Sequence, residues 1–239
     1  MTDIIGKQTL DTISSADKFN QWMFQTIEPF AKGKVLEIGS GIGNISSQFL
    51  ENNYSIMLSD FRPEYCEELK NKYSHYSNFL GVKRIDLVDP EFTKKNVGIL
   101  DSFDTVFALN VIEHIEDDFL AIANCKKLLK EGGTLIILVP SYQNLFNNFD
   151  VELGHFRRYT ISKLTEIFRF NNMGINHTQY FNFIGVIGWY FNGNILKKKS
   201  IPGGQMKLYN NLVPIFRVLD KVISNKFGLS TIVVGTKTN

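Results

Sequence analysis

The spacing of apolar residues changes period several times along the chain, and each change marks an element. Across residues 15–30, Phe19, Trp22, Met23, Ile27 and Phe30 recur three and four apart. That spacing predicts one face of a helix, ended by Pro29 and Gly33. A short apolar run at 34–38 predicts a strand, followed at once by a glycine-rich turn, Gly39-Ser-Gly-Ile-Gly43. Helix periodicity resumes over 44–52, and 54–59 reads as a second strand closed by Asp60. Residues 63–73 predict a helix with Pro63 in its first turn. A third strand spans 79–85 and ends at Asp86; 89–100 is a loop or short helix; a fourth strand covers 103–109. Residues 116–130 predict a helix stopped by Glu131-Gly-Gly133, and 134–139 a fifth strand stopped by Pro140.

Strands alternating with helices of about ten residues predict a parallel sheet with helices on both faces. Beyond Pro140 the pattern loosens. Residues 141–159 read as a long loop, 160–172 as a helix capped by Thr160, and 175–183 as a strand. About 45 aromatic and basic residues follow, including a helical stretch at 214–223, before a last strand at 231–236. An insertion of that length predicts a helical cap or an interaction surface. The whole fits one domain, with a cofactor-binding core at 30–140 and acceptor-side elements at 1–29, 141–160 and 183–228.

Charge narrows the partners. With 26 basic and 24 acidic residues the net charge is +2, so no nucleic acid partner is expected. Two cysteines without short spacing speak against a disulfide scaffold or a zinc cluster, and no metal is expected. No secretory leader and no long apolar run is visible, which predicts a cytoplasmic protein.

The chemistry starts at the glycine-rich turn. Gly39, Gly41 and Gly43 let the backbone turn tightly after a strand and approach a ligand. Asp60, at the end of the next strand, is placed to accept from both hydroxyls of a ribose. A dinucleotide fingerprint, G-x-G-x-x-G, fails in either register, because Asn44 or Ser46 takes the last glycine's place. The run Glu37-Ile-Gly-Ser-Gly-Ile-Gly43 instead resembles the first motif of class I S-adenosylmethionine (SAM)-dependent methyltransferases. Arg84-Ile-Asp-Leu87, residues 103–114 and residues 128–137 resemble that family's next motifs, in order.

The resemblance implies a Rossmann-like, seven-stranded, mostly parallel sheet with a reversed last strand at 231–236. It implies SAM as cofactor and S-adenosylhomocysteine as product. By the same resemblance Gly39, Gly41 and Gly43 line the methionine and ribose, and Glu37 holds the turn and the ammonium. Asp60 takes the ribose hydroxyls, Phe61 packs on adenine, and Asp86 with the Leu87 amide meets the adenine edge. Asn110 lies beside the methionine carboxypropyl group. Plainer roles stay open for several of these residues. Glu37, Asp60 and Asp86 are each also suited to capping a helix or turn, and His114 to packing at a helix start.

A second constellation is Gly154-His-Phe-Arg-Arg-Tyr159, just past the fifth strand. Arg157 and Arg158 are suited to gripping an anionic group, and His155 to taking a proton from a nucleophile. With Trp22 and Ile27 near the N-terminus, the run resembles a bacterial subgroup of small-molecule methyltransferases. That implies acceptor contacts for Trp22, Arg157, Arg158 and Tyr159, and a general-base role for His155. The alternative is internal: an arginine paired with Asp150 or Glu152, and Tyr159 in the core. The expected reaction is methyl transfer to an oxygen or nitrogen of a sugar, sugar-linked lipid, amine or aromatic metabolite. The rivals are an RNA or protein methyltransferase and an NAD or nucleotide-sugar enzyme. Balanced charge, Asn110-Val-Ile-Glu in place of Asn-Pro-Pro-Tyr, and the broken fingerprint weigh against them.

The apolar segment 180–196 and Lys197-Lys-Lys199 leave four readings: a core strand entering a cap, a membrane-surface contact, an acceptor pocket wall and a dimer interface. Aromatic residues make up 13% of the chain, and 13 of the 31 fall within residues 140–195. That concentration predicts an acceptor pocket for a flat or lipophilic group.

Overall fold

In the computed structural model, residues 4–198, 203–223 and 225–238 are described. Two helices lead, α1 (Ile4–Ser14) and α2 (Asp17–Ile27), followed by β1 (Lys34–Ile38), α3 (Ser46–Glu51), β2 (Ser55–Asp60) and α4 (Pro63–Tyr73). Then come β3 (Phe79–Arg84), the single turn α5 (Phe92–Lys95), β4 (Phe103–Leu109), α6 (Asp118–Leu128) and β5 (Leu129–Pro140). The remainder is α7 (Asn148–Leu153), α8 (Ile161–Phe170), β6 (Met173–Phe181), α9 (Phe183–Trp189), α10 (Gly203–Val222) and β7 (Ser230–Lys237).

The strands form one seven-stranded sheet in the order β3-β2-β1-β4-β5-β7-β6. Only β7 runs against its neighbours, inserted between β5 and β6. Period-two alternation serves both faces of the sheet. Leu135, Ile137 and Val139 of β5 join Val106, Ile122, Leu164 and Phe168 in one core. Ile136 and Leu138 point the other way, into a core with Phe49, Phe107, Trp22 and Ile232. Phe49 stacks on Phe107 at 4.7 Å.

Several boundaries differ from the sequence expectation. The N-terminal segment adds α1 ahead of the expected helix. The helix after the glycine turn starts at Ser46 and not at Asn44, because Gly43 still has a left-handed φ of 82°. Strand β5 starts at Leu129 and runs through Gly132-Gly133, with an irregular register against β4 at Phe103 and Thr105. The 141–159 segment holds a 3-10 turn and α7, and is not a plain loop. Pro214 lies inside α10 and not at a helix start.

Candidate active site

Strand order reverses at β1, whose neighbours β2 and β4 lie on either side, so the carboxyl ends of these strands open a crevice. The glycine turn sits there. Gly39, Gly41 and Gly43 have φ values of 69°, 54° and 82°. A side chain on Gly39 would strike Val111, and one on Gly43 would strike the Tyr73 ring. Ser40 N–H donates to the Ser59 carbonyl at 2.8 Å, and Tyr73 Oη–H to the Gly43 carbonyl at 2.8 Å, which ties the turn to β2 and α4. Helix α1 lies on the turn: Asn44 Nδ2 donates to the Leu10 carbonyl at 3.2 Å.

Asp60 is buried and faces the turn. Its Oδ2 accepts from Gly41 N–H at 3.0 Å and its Oδ1 from Arg62 N–H at 2.9 Å. Burial raises its pKa, against the pull of these donors. Two of the carboxylate's roughly four acceptor positions are filled this way, which leaves others for a ligand hydroxyl. Glu37, wholly inside, accepts from the Ser46 hydroxyl at the start of α3, and burial pushes it up to about 7.

The Phe61 ring is exposed, with the Arg62 guanidinium 5.5 Å from its centroid. Asp86 is exposed and accepts from Val88 N–H. Leu87 is buried, and its carbonyl accepts from Asn124. Asn110 is exposed with a left-handed φ of 54°. Carboxylates, a bare ring face and close-approach glycines along one sheet edge are a donor and acceptor set that fits SAM.

A second cluster lies past β5. Asn147 and Asp150 form a capping box at the start of α7, and Gly154 ends that helix in the left-handed region. The chain then folds back: His155 N–H donates to the Asp150 carbonyl and Phe156 N–H to the Glu113 carbonyl, each at 2.8 Å. Asp150 Oδ1 lies 2.7 Å from His155 Nδ1 and 2.8 Å from Arg158 Nε. Burial opposes the charge on Asp150, but His155, Arg158 and Asn147 outweigh it and hold the carboxyl below its usual range. An ionised Asp150 only accepts, so Nδ1 of His155 carries a hydrogen, and the tautomer this selects has its lone pair on Nε2.

That Nε2 lies 4.0 Å from Glu113 Oε1. Glu113 is 0% exposed, and neither carboxyl oxygen has a hydrogen-bond partner. Burial pushes its pKa up to about 8, despite the Arg158 charge. The His114 ring stands edge-on to His155 at 4.6 Å. Glu113, His114 and His155 place three ligand-type atoms within 4.8 Å of one another. Ligands about 2.1 Å from a zinc ion lie at most about 4.2 Å apart, so this set would have to contract to hold one.

The acceptor-side expectations are corrected in part. Arg158 is buried in its pair with Asp150, donates to the Ser141 carbonyl and lies 4.4 Å over the Trp189 ring. Tyr159 is a core residue whose hydroxyl donates to Asp118 at 2.9 Å. Trp22 is likewise core, 4.5 Å from Phe181. The polar groups of Arg158 and Tyr159 are engaged internally, and the Trp22 ring is enclosed by core residues. Arg157 remains part-exposed while pairing with Asp118 at 2.8 Å and the Glu116 carbonyl. The aromatic residues of 140–195 divide: Phe149, Tyr159, Phe168 and Phe181 are buried, whereas Phe156, Phe170, Tyr190 and Phe191 are exposed. Sequence reasoning held Asp150 open as an arginine's internal partner, which it is for Arg158, and missed Glu113 as a member of the cluster.

Comparison with known proteins agrees with the crevice. Residues 36–135 match the family model described as a methyltransferase domain. The matched stretch holds the glycine turn, Asp60, Asp86 and Asn110, so the likeness to a methyltransferase domain falls on the residues that fit SAM. Probable polyketide synthase 42 of Dictyostelium discoideum is 26% identical over 190 residues, covering 70% of this chain and 7% of that protein. The chain thus spans less than a tenth of the length of this relative. A SAM-dependent methyltransferase from Archaeoglobus fulgidus has a similar fold, with a TM-score of 0.58 at 15% identity, covering 91% of this chain and 94% of that one. The CurJ carbon methyltransferase aligns with a TM-score of 0.56 at 12% identity, over 94% of this chain and 54% of that one. Among the described residues no helix is long and apolar enough to cross a membrane.

Proposed function

We propose that this domain moves the methyl group of SAM to an oxygen or nitrogen of a small-molecule acceptor, with His155 as general base. The observation that carries this reading is the 2.7 Å contact of His155 Nδ1 with Asp150, which leaves Nε2 as the ring's proton acceptor. Bound SAM supplies an electrophilic sulfonium methyl. The chain's own residues then bind, orient and deprotonate. Gly39, Gly41, Gly43 and Asp60 hold the methionine and ribose, Glu37 stiffens the turn through Ser46, and Phe61, Asp86 and the Leu87 amide bracket the adenine. Asn110 borders the methionine side. His155 takes the acceptor proton, and Asp150 stabilises the imidazolium that forms. Arg157, part-exposed beside Asp118, is the cation offered to an anionic acceptor.

The test uses the purified chain with SAM and a panel of phenols, sugars and amines, followed by mass spectrometry of methylated products. His155→Ala is expected to lower kcat by about 10²- to 10⁴-fold, the usual range for a positioned base. SAM affinity by calorimetry should stay unchanged. Absence of S-adenosylhomocysteine binding by the wild type, or an undiminished kcat in the variant, refutes the reading. The match to a polyketide synthase and the likeness to a carbon methyltransferase favour a second reading, transfer to an acidic carbon. A β-keto thioester in the same panel, methylated at carbon, would decide for it.

A further inference from the structure

Helix α10 has two apolar stripes. Met206, Tyr209, Val213 and Phe216 lie on the inner one, with Met206 and Val213 buried and Tyr209 and Phe216 packed against the core of Trp22 and Phe181. Leu208, Leu212, Ile215, Leu219 and Val222 form the other, spaced four, three, four and three apart. All five are exposed, Val222 to 73%. Ile187, Tyr190, Phe191 and Ile195, in α9 and the π-helical turn after it, are exposed as well. Apolar patches of this extent are rare on monomers unless something covers them.

Charge identifies the cover. Residues 183–228 hold seven of the 26 basic residues and one of the 24 acidic ones, Asp220. The segment is therefore +6 while the rest of the chain is −4. Asp220 is buried and accepts from the backbone N–H groups of Asn182 and Phe183, so it offers the surface no negative charge. Lys207, Lys221 and Lys226 are exposed beside the apolar stripe. Lys199, part of the lysine run, lies outside the described residues.

We propose that the α9–α10 face docks the enzyme on an anionic lipid surface. Apolar side chains with aromatics enter the interface, and flanking lysines meet lipid headgroups. A second copy of the same face is a poor occupant, because it would oppose like charge to like. The cap follows β6 at the carboxyl edge of the sheet, and Trp189 Nε1 donates to the Leu145 carbonyl beside the Arg158 cluster. Docking through this face sets the acceptor side next to the membrane.

The experiment is sedimentation of the full chain with phosphatidylcholine vesicles, with and without about one-third phosphatidylglycerol. Binding is expected only to the anionic vesicles, and to be lost near about 0.5 M NaCl. Ile215→Asp combined with Val222→Asp should lower partitioning by at least about tenfold. Lys207→Glu with Lys221→Glu should do the same, while circular dichroism and SAM affinity stay as in the wild type. No binding to anionic vesicles, or equal binding by both double variants, overturns the proposal. A wild-type dimer that the Asp variants convert to monomer assigns the face to a second copy instead.

Discussion

Asp60 and Glu113 are both buried carboxyls, yet their surroundings assign them different tasks. Asp60 accepts from Gly41 N–H and Arg62 N–H and lies beside the glycine turn. Asp60→Ala removes a ligand acceptor and leaves a buried donor unpaired, a loss of about 1–3 kcal/mol. SAM affinity by calorimetry should fall roughly 10- to 100-fold. The Glu113 carboxyl oxygens have no hydrogen-bond partner, and burial raises the group to about 8. The folded state then holds a proton that the unfolded chain has released, so stability is greatest below the unfolded pKa and falls as pH rises toward 8. Melting temperatures between pH 5 and 8 should decline in the wild type and decline less in Glu113→Gln. Equal slopes would show that Glu113 keeps no proton in the folded state and would overturn the burial argument.

Helix α7 has six residues, too few to persist by propensity alone, and it is held by its cap and by the Asp150–Arg158 pair. Arg158→Ala strands a buried carboxylate, which costs about 3–5 kcal/mol. The melting temperature should drop on the order of 10 °C, at about 2–4 °C per kcal/mol for a chain of this size. Arg157→Ala, on the part-exposed neighbour, should cost far less. No apolar period marks this helix, because Val151 is exposed, so the segment reads as a loop. Strands β1 and β4 matched the expected bounds because their apolar-rich runs end at Gly39 and Asn110. Gly132-Gly133 imitated a stop inside β5, and Pro214 imitated a helix start inside α10. The glycine turn was legible because its motif is contiguous. His155 and its candidate neighbour Asp150 were legible for the same reason, but Glu113 was not, since only the adjacency of β4 and β5 brings its segment, about 40 residues away, beside them.

At the scale of the molecule the sheet divides two cores, while the cap contributes one inner stripe to a single core and leaves its other stripe exposed. Val106, Phe107, Ile136 and Ile137 are wholly enclosed in adjacent central strands, so their amides should exchange with solvent only through global unfolding. Helix α10 gives up less buried apolar surface on opening, and its amides should exchange through cheaper local openings. Adding SAM should slow exchange at Ser40–Gly43 and Asp60–Arg62, where the turn meets β2, and leave α10 untouched. Anionic vesicles should do the reverse, protecting α10 and sparing the turn. Exchange in α10 as slow as in β5 without any vesicle would show that the cap is part of the global folding unit. Its outward stripe would then have no stability deficit for a lipid surface to relieve.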